Sequence, residues 1–135
     1  MDLSYLFTPL VTWLLAGSLK FVINSVRSRQ AAFKQIGYGG LPSNHSAMVS
    51  AMAALIGLKQ GVNTPAFGVA LTLALIVILD AASLRAQIGR QAAAINRLGA
   101  TPALRERIGH SRLEIATGVV TGVLVAWGMS RVWRG

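Results

Sequence analysis

Gly39-Gly40-Leu41-Pro42-Ser43-Asn44-His45-Ser46-Ala47 separates two long apolar segments and opens the second. Pro42 and Ser43 read as a helix start, with Ser43 as N-cap. His45 then falls in the first turn, where backbone N–H groups have no intrahelical partner. Such a turn accepts an anion, and a phosphate suits it. A histidine there can give or take a proton. The plainer alternative is a well-capped membrane helix with a histidine at the interface.

Working outward, the apolar segments dominate. The chain has 135 residues, enough for a single domain over 1–135. It is 53% hydrophobic and 13% charged, with a mean hydropathy of +0.56, which fits a membrane protein. The absence of cysteine excludes disulfides, thiolate catalysis and cysteine-held metals. A net charge of +9 raises the question of nucleic acid. The cations lie in the gaps between apolar segments, which is the membrane pattern, and no nucleic-acid module is recognisable. No nucleic-acid partner is expected.

Segment one runs from about Leu3 to Val26. Met1-Asp2 lacks the basic start of a signal peptide, so it reads as a retained span. Lys20 near its far end is either a snorkelling lysine or a phosphate ligand. A basic linker with Arg27, Arg29 and Lys34 leads to the glycine turn. Segment two, about Ser43 to Leu58, is short and rich in small residues that allow close packing in lipid. Segment three, about Pro65 to Leu84, carries Asp80 after its longest apolar run. A carboxylate at that depth calls for a partner, with Arg85 or Lys20 available; the alternative is a simple interfacial acid. From Arg85 to Gly109 the chain is basic and partly amphipathic, either a helix on the membrane surface or segment three continued. Segment four runs from Gly109 to about Met129, and Arg131, Trp133 and Arg134 follow as an interfacial anchor. The predicted fold class is all-α: an integral membrane bundle of about four transmembrane helices, with an interfacial helix between the third and fourth as one reading of the basic stretch.

Four spans place both termini on one side and both long basic loops on the other. Lys20, Arg27, His45, Arg85, Arg90, His110 and Glu114 all fall at that second face. The chain has two histidines, and both sit in the first turn of a helix there. His110 and Glu114 are four apart, hence on one helical face. A carboxylate so placed holds the imidazole and frees its other nitrogen to attack; the alternative is an ordinary polar pair. Arginine and lysine suit phosphoryl oxygens, and phosphoryl transfer rests mostly on positioning and charge stabilisation.

Lys20-x6-Arg27, Pro42-Ser43-Asn44-His45 and His110-x3-Glu114 with Gly118 resemble, in order, the three-part signature of the type-2 phosphatidic acid phosphatase superfamily. That superfamily includes bacterial acid phosphatases and vanadium haloperoxidases. The nearest likeness is to its small divergent membrane branch, through Gly39-Gly40-x-Pro42-Ser43-x-His45-Ser46-Ala47, then Asp80-Ala81, Arg85, Gly89, Arg90 and Gln91, then Gly109-His110-x3-Glu114. The resemblance implies that His110 is a nucleophile forming a phosphohistidine, that Glu114 orients it, and that His45 protonates the leaving oxygen. It implies that Lys20, Arg27, Ser43, backbone N–H groups near Asn44, and Arg85 or Arg90 hold phosphoryl oxygens. It implies no metal and no cofactor. The chain departs from the signature at Ser28 (usually proline), Asn44 (glycine), Glu114 (aspartate) and Leu104 (arginine).

Ten of the thirteen cations lie on the site side: Lys20, Arg27, Arg29, Lys34, Arg85, Arg90, Arg97, Arg105, Arg107 and Arg112. The positive-inside rule then predicts a cytoplasmic site and external termini, in a bacterial inner membrane. A site at headgroup level predicts a lipid phosphate or prenyl phosphate or diphosphate as substrate, with the bilayer as its setting. Two other classes compete: a non-catalytic bundle binding anionic headgroups (a transporter or complex subunit), and a vanadate-dependent haloperoxidase. A small apolar bundle also has the means to form a homo-oligomer.

Overall fold

The computed structural model describes residues 2–28, 40–99, 101–106 and 108–133, without the side chains of Arg27 and Ser28. Arg29, Lys34, Arg107, Arg134 and the side chain of Arg27 therefore lie outside the described residues. The chain forms α1 (Ser4–Ser28), α2 (Asn44–Gln60), α3 (Pro65–Leu79), α4 (Arg85–Arg97) and α5 (Arg112–Val132). A π-helical turn, Asp80–Leu84, joins α3 to α4. Among the described residues there is no strand. The all-α bundle expected from the sequence is the fold observed.

Among the described residues, three helical stretches are long and apolar enough to cross a membrane: Ser4–Val26, Pro65–Arg97 and Arg112–Val132. The second settles how the basic stretch after Arg85 begins. It prolongs α3 through the π turn, giving 33 continuous helical residues, about 50 Å of helix. α2 has 17 residues, about 25 Å, slightly less than the ~30 Å apolar core of a bilayer. It is the central helix, packed against α1, α3 and α5.

Small residues let these backbones approach, as packing in lipid requires. On α2, Ala47, Ala51 and Leu55 recur every four residues and are fully buried. They face Gly118, Gly122, Ala126 and Met129 of α5, all buried. A Cβ at Gly118 would lie 2.6 Å from the Ser43 carbonyl oxygen, and one at Gly122 would run into the Ala47 carbonyl. α1 buries a matching row: Ser4, Thr8, Thr12 and Ala16, all at 0% exposure. The opposite faces carry exposed Leu, Val, Phe and Trp, as lipid-facing surfaces do.

One end of the bundle is closed by Lys59. Its Nζ donates to Asp2 Oδ2 at 2.7 Å and to the Trp133 carbonyl at 2.6 Å. Gln60 donates to the Tyr5 hydroxyl at 3.0 Å, and Phe7 stacks on Trp133. The Lys59 hydrogen bond, with those from Ser4, holds the Asp2 carboxyl down at about 2. The start of α1 and the ends of α2 and α5 thus meet here. The other end of each helix is left to form the site.

Candidate active site

Five chain segments converge at that second end. α2 begins at Ser43, whose hydroxyl caps the helix by accepting from the Ser46 N–H at 3.4 Å and the Ser46 hydroxyl at 3.0 Å. The Ser43 N–H donates to the Glu114 carbonyl at 2.9 Å, tying the starts of α2 and α5 together. Ser43 is fully buried. Expected as a phosphate ligand, it lies beneath the histidines as the joint between their helices, with its N–H already committed.

α5 opens with a capping box. The Ser111 hydroxyl accepts from the Glu114 N–H at 3.2 Å, and Glu114 Oε2 accepts from the Ser111 N–H at 2.9 Å. The same Oε2 lies 3.2 Å from His110 Nδ1. Glu114 therefore does two things with one oxygen: it caps the helix and it fixes the imidazole. The Ser-x-x-Glu pattern at Ser111 and Glu114 was a readable signal for this cap, and the spacing of His110 and Glu114 alone did not reveal it.

His110 is held from a second direction. Its N–H donates to the Ala81 carbonyl in the π turn at 3.2 Å. Gly109 before it has φ +106, and a Cβ there would press on Arg85 and Ala86. Only glycine fits both demands. Gly89, about a turn further along α4, is constrained in the same way, since a Cβ there would meet the Glu106 carbonyl. The loop before α5 is thereby laid directly against the start of α4. Asn96 anchors the far portion of that loop, donating to the Leu104 carbonyl and accepting from the Leu104 N–H.

The two imidazoles face one another with centroids 6.5 Å apart and planes tilted by 45°. His45 is the more exposed; the His110 side chain is 10% exposed. Burial pushes the His110 imidazole below the usual 6.5, the Glu114 hydrogen bond pulls it back up, and nearby Lys20 and Arg85 push it down. A neutral ring in this position places its proton on Nδ1, because the carboxylate oxygen beside it can only accept.

Of the expected phosphate ligands, Lys20 and Arg85 stand within electrostatic range of both histidines. Asn44 adjoins Gly17 of α1, and its Oδ1 is buried without a hydrogen-bond partner among the described residues. Arg90 is not brought to the histidines. It is exposed and donates to Gln87. Five helical residues separate it from Arg85, about 140° around the axis. Arg27 belongs to the last turn of α1, its side chain outside the described residues. Among the described residues, no three His, Asp or Glu side chains gather as a metal-binding group.

No solved structure matches the chain. It is similar to the uncharacterized membrane protein YuiD of Bacillus subtilis (strain 168), with 28% identity over 89% of each chain. Residues 1–125 match the divergent PAP2 family, so the match takes in both histidines, Glu114 and all five helix starts. This membrane protein belongs to the divergent PAP2 family.

Proposed function

We propose that the chain is a membrane phosphatase that hydrolyses a lipid phosphate or diphosphate through a phosphohistidine on His110. The observation that carries this reading is the pair of imidazoles 6.5 Å apart, one of them held through Nδ1 by a carboxylate. A phosphoryl group entering between the rings meets His110 Nε2 on one side and His45 on the other.

In the first step the Nε2 lone pair attacks phosphorus and the bond to the leaving oxygen breaks. His45, protonated, gives its proton to that oxygen. Glu114 stabilises the positive charge arising on His110. In the second step neutral His45 takes a proton from water, the hydroxide attacks phosphorus and the P–N bond breaks. Inorganic phosphate leaves and His110 is restored. Lys20 and Arg85 offset the phosphoryl charge. The site lies at the helix ends beside exposed apolar surface, which suits a phosphate carried on a lipid tail.

We place the site at the cytoplasmic face of a bacterial inner membrane. Support comes from the cation distribution and from the meeting of Asp2 and Trp133 at the opposite end.

The test is phosphate release by detergent-purified protein from phosphatidate, phosphatidylglycerol phosphate and prenyl phosphates and diphosphates, with chelator present. Release that is lost in His110→Ala supports the reading. Lipid binding without turnover, unaffected by loss of both histidines, would favour a headgroup-binding bundle instead. Peroxide-dependent halide oxidation with bound vanadate would favour a haloperoxidase.

A further inference from the structure

Asp80 is a carboxylate at the end of the most apolar stretch of the chain, and the phosphoryl transfer gives it no role. It is also the first residue of the π turn. In a regular α-helix, residues five apart lie about 140° around the axis and cannot meet. Here the Arg85 N–H donates to the Asp80 carbonyl, the five-residue bond that defines the turn. The two side chains are thereby stacked on one face. Asp80 Oδ2 accepts from Arg85 Nε at 2.8 Å.

The π turn also adjoins the site. Ala81, its second residue, accepts the His110 N–H. Asp80 lies within electrostatic range of His45, and Arg85 within range of both histidines. The Arg85 side chain is 35% exposed and that of Asp80 31%, so neither is sealed in a core. A purely structural pair gains little at such exposure. Asp80 engages only Nε. Among the described residues no other side chain takes a hydrogen bond from Arg85. The planar Nη1–Nη2 edge of the guanidinium remains for a ligand, and that edge matches two phosphoryl oxygens.

We infer that Asp80 is a positioning residue: across the π turn it holds Arg85 by Nε so that the free edge of the guanidinium binds phosphoryl oxygens between His45 and His110. Arg85, and not Arg90, is then the arginine of the anion clamp. The π turn is needed because without it the carboxylate and the arginine point apart. Held by its partner, Arg85 loses little further freedom when phosphate binds.

This inference rests on the phosphatase reading for its kinetic arm only. The binding arm uses inorganic phosphate titrated into detergent-purified protein, followed by 31P line broadening. Arg85→Ala is expected to weaken phosphate binding by about tenfold to a hundredfold, the range of a charge-assisted contact. Asp80→Ala is expected to reproduce most of that loss, and Asp80→Ala/Arg85→Ala to lose no more than Arg85→Ala alone. Arg97→Ala, at the far end of α4, serves as the control for general charge. In turnover, Asp80→Ala is expected to raise KM more than it lowers kcat. Should Asp80→Ala misfold, the isosteric Asp80→Asn is used, with a smaller loss expected in the same direction. Phosphate affinity unchanged in Asp80→Asn or Asp80→Ala, or losses that add in the double variant, would overturn the inference even if the wild type is an active phosphatase. Phosphate binding that follows the expected pattern without turnover would uphold the clamp and refute the phosphatase reading.

Discussion

Two side chains at the site work through a neighbour's position. Glu114 shares one carboxylate oxygen between the Ser111 N–H and His110, so the imidazole is only as well placed as the first turn of α5. Ser111→Ala removes one arm of the capping box, at about 1 kcal/mol of stability. It is expected to lower kcat as well, through a looser Glu114, which steady-state kinetics on folded protein would show. In the proposed mechanism His45→Ala removes the proton donor, and a loss in kcat of about 10²–10⁴ is expected. A substrate with a better leaving group should recover some of it. Burial lowers the His110 pKa below 6.5. The folded state therefore favours the neutral ring, and that stability is present above pH 6.5 and is lost as the pH falls. As the proposed nucleophile, His110 should likewise remain available at neutral pH, with the acid limb of kcat/KM assigned to it lying below pH 6.5. An acid limb above that value would contradict the assignment. The two histidines and Glu114 were legible because they cluster at helix starts with local spacing. His45 and Glu114 stand in the first turns of α2 and α5, whereas His110, expected in a first turn, lies just before the N-cap Ser111. The commitment of Ser43 to the Glu114 carbonyl was not legible, since it links segments about seventy residues apart in the chain.

Helices come together here through glycine. Gly118 and Gly122 let α5 lie against the backbone of α2 at Ser43 and Ala47, and Ser43 is also the joint beneath the site. Gly118→Ala forces the two helix starts apart. We expect a loss of about 1–3 kcal/mol, the usual cost of overpacking, with a larger fall in activity than in stability. Gly128→Ala, where a Cβ meets nothing, should change neither; thermal melts and assays of the same preparations would separate the two. The apolar segments were readable from hydropathy, and the small residues of α2 announced close packing. The π turn could not be read. Asp80 and Arg85 carry no pattern that distinguishes a five-residue turn from a regular helix, and the loop that packs beside the turn at Gly109 and Gly89 comes from a distant part of the sequence. The sequence also left Arg85 and Arg90 as equals, which the turn of α4 separates.

The whole molecule has two ends of different character. Lys59, Asp2 and Trp133 close one end, and the histidines with their cations occupy the other. The Asp2 carboxyl, held at about 2 against an ordinary 3.8, keeps its charge in mild acid. Its contribution to the Lys59 closure is lost only as the pH falls through that lowered value. Lys59→Ala should therefore loosen the terminal ends of α1 and α5, measured as faster amide exchange there. A reporter fused after Gly135 should be active only outside the cytoplasm; activity only inside would reverse the placement of the site. The apolar segments and the charge asymmetry were legible in the sequence. The closure by Lys59 was not, because its partners are 57 and 74 residues apart. In the proposed mechanism these features serve one arrangement, in which His110 is presented, uncharged and oriented, to a phosphoryl group. The direct test is rapid-quench labelling with phosphatidate or a prenyl diphosphate carrying 32P in its terminal phosphate. The expected result is label on the protein that is stable to base and labile to acid, absent from His110→Ala, and longer-lived in His45→Ala. Turnover with no labelled protein, or label that persists in His110→Ala, would contradict the account.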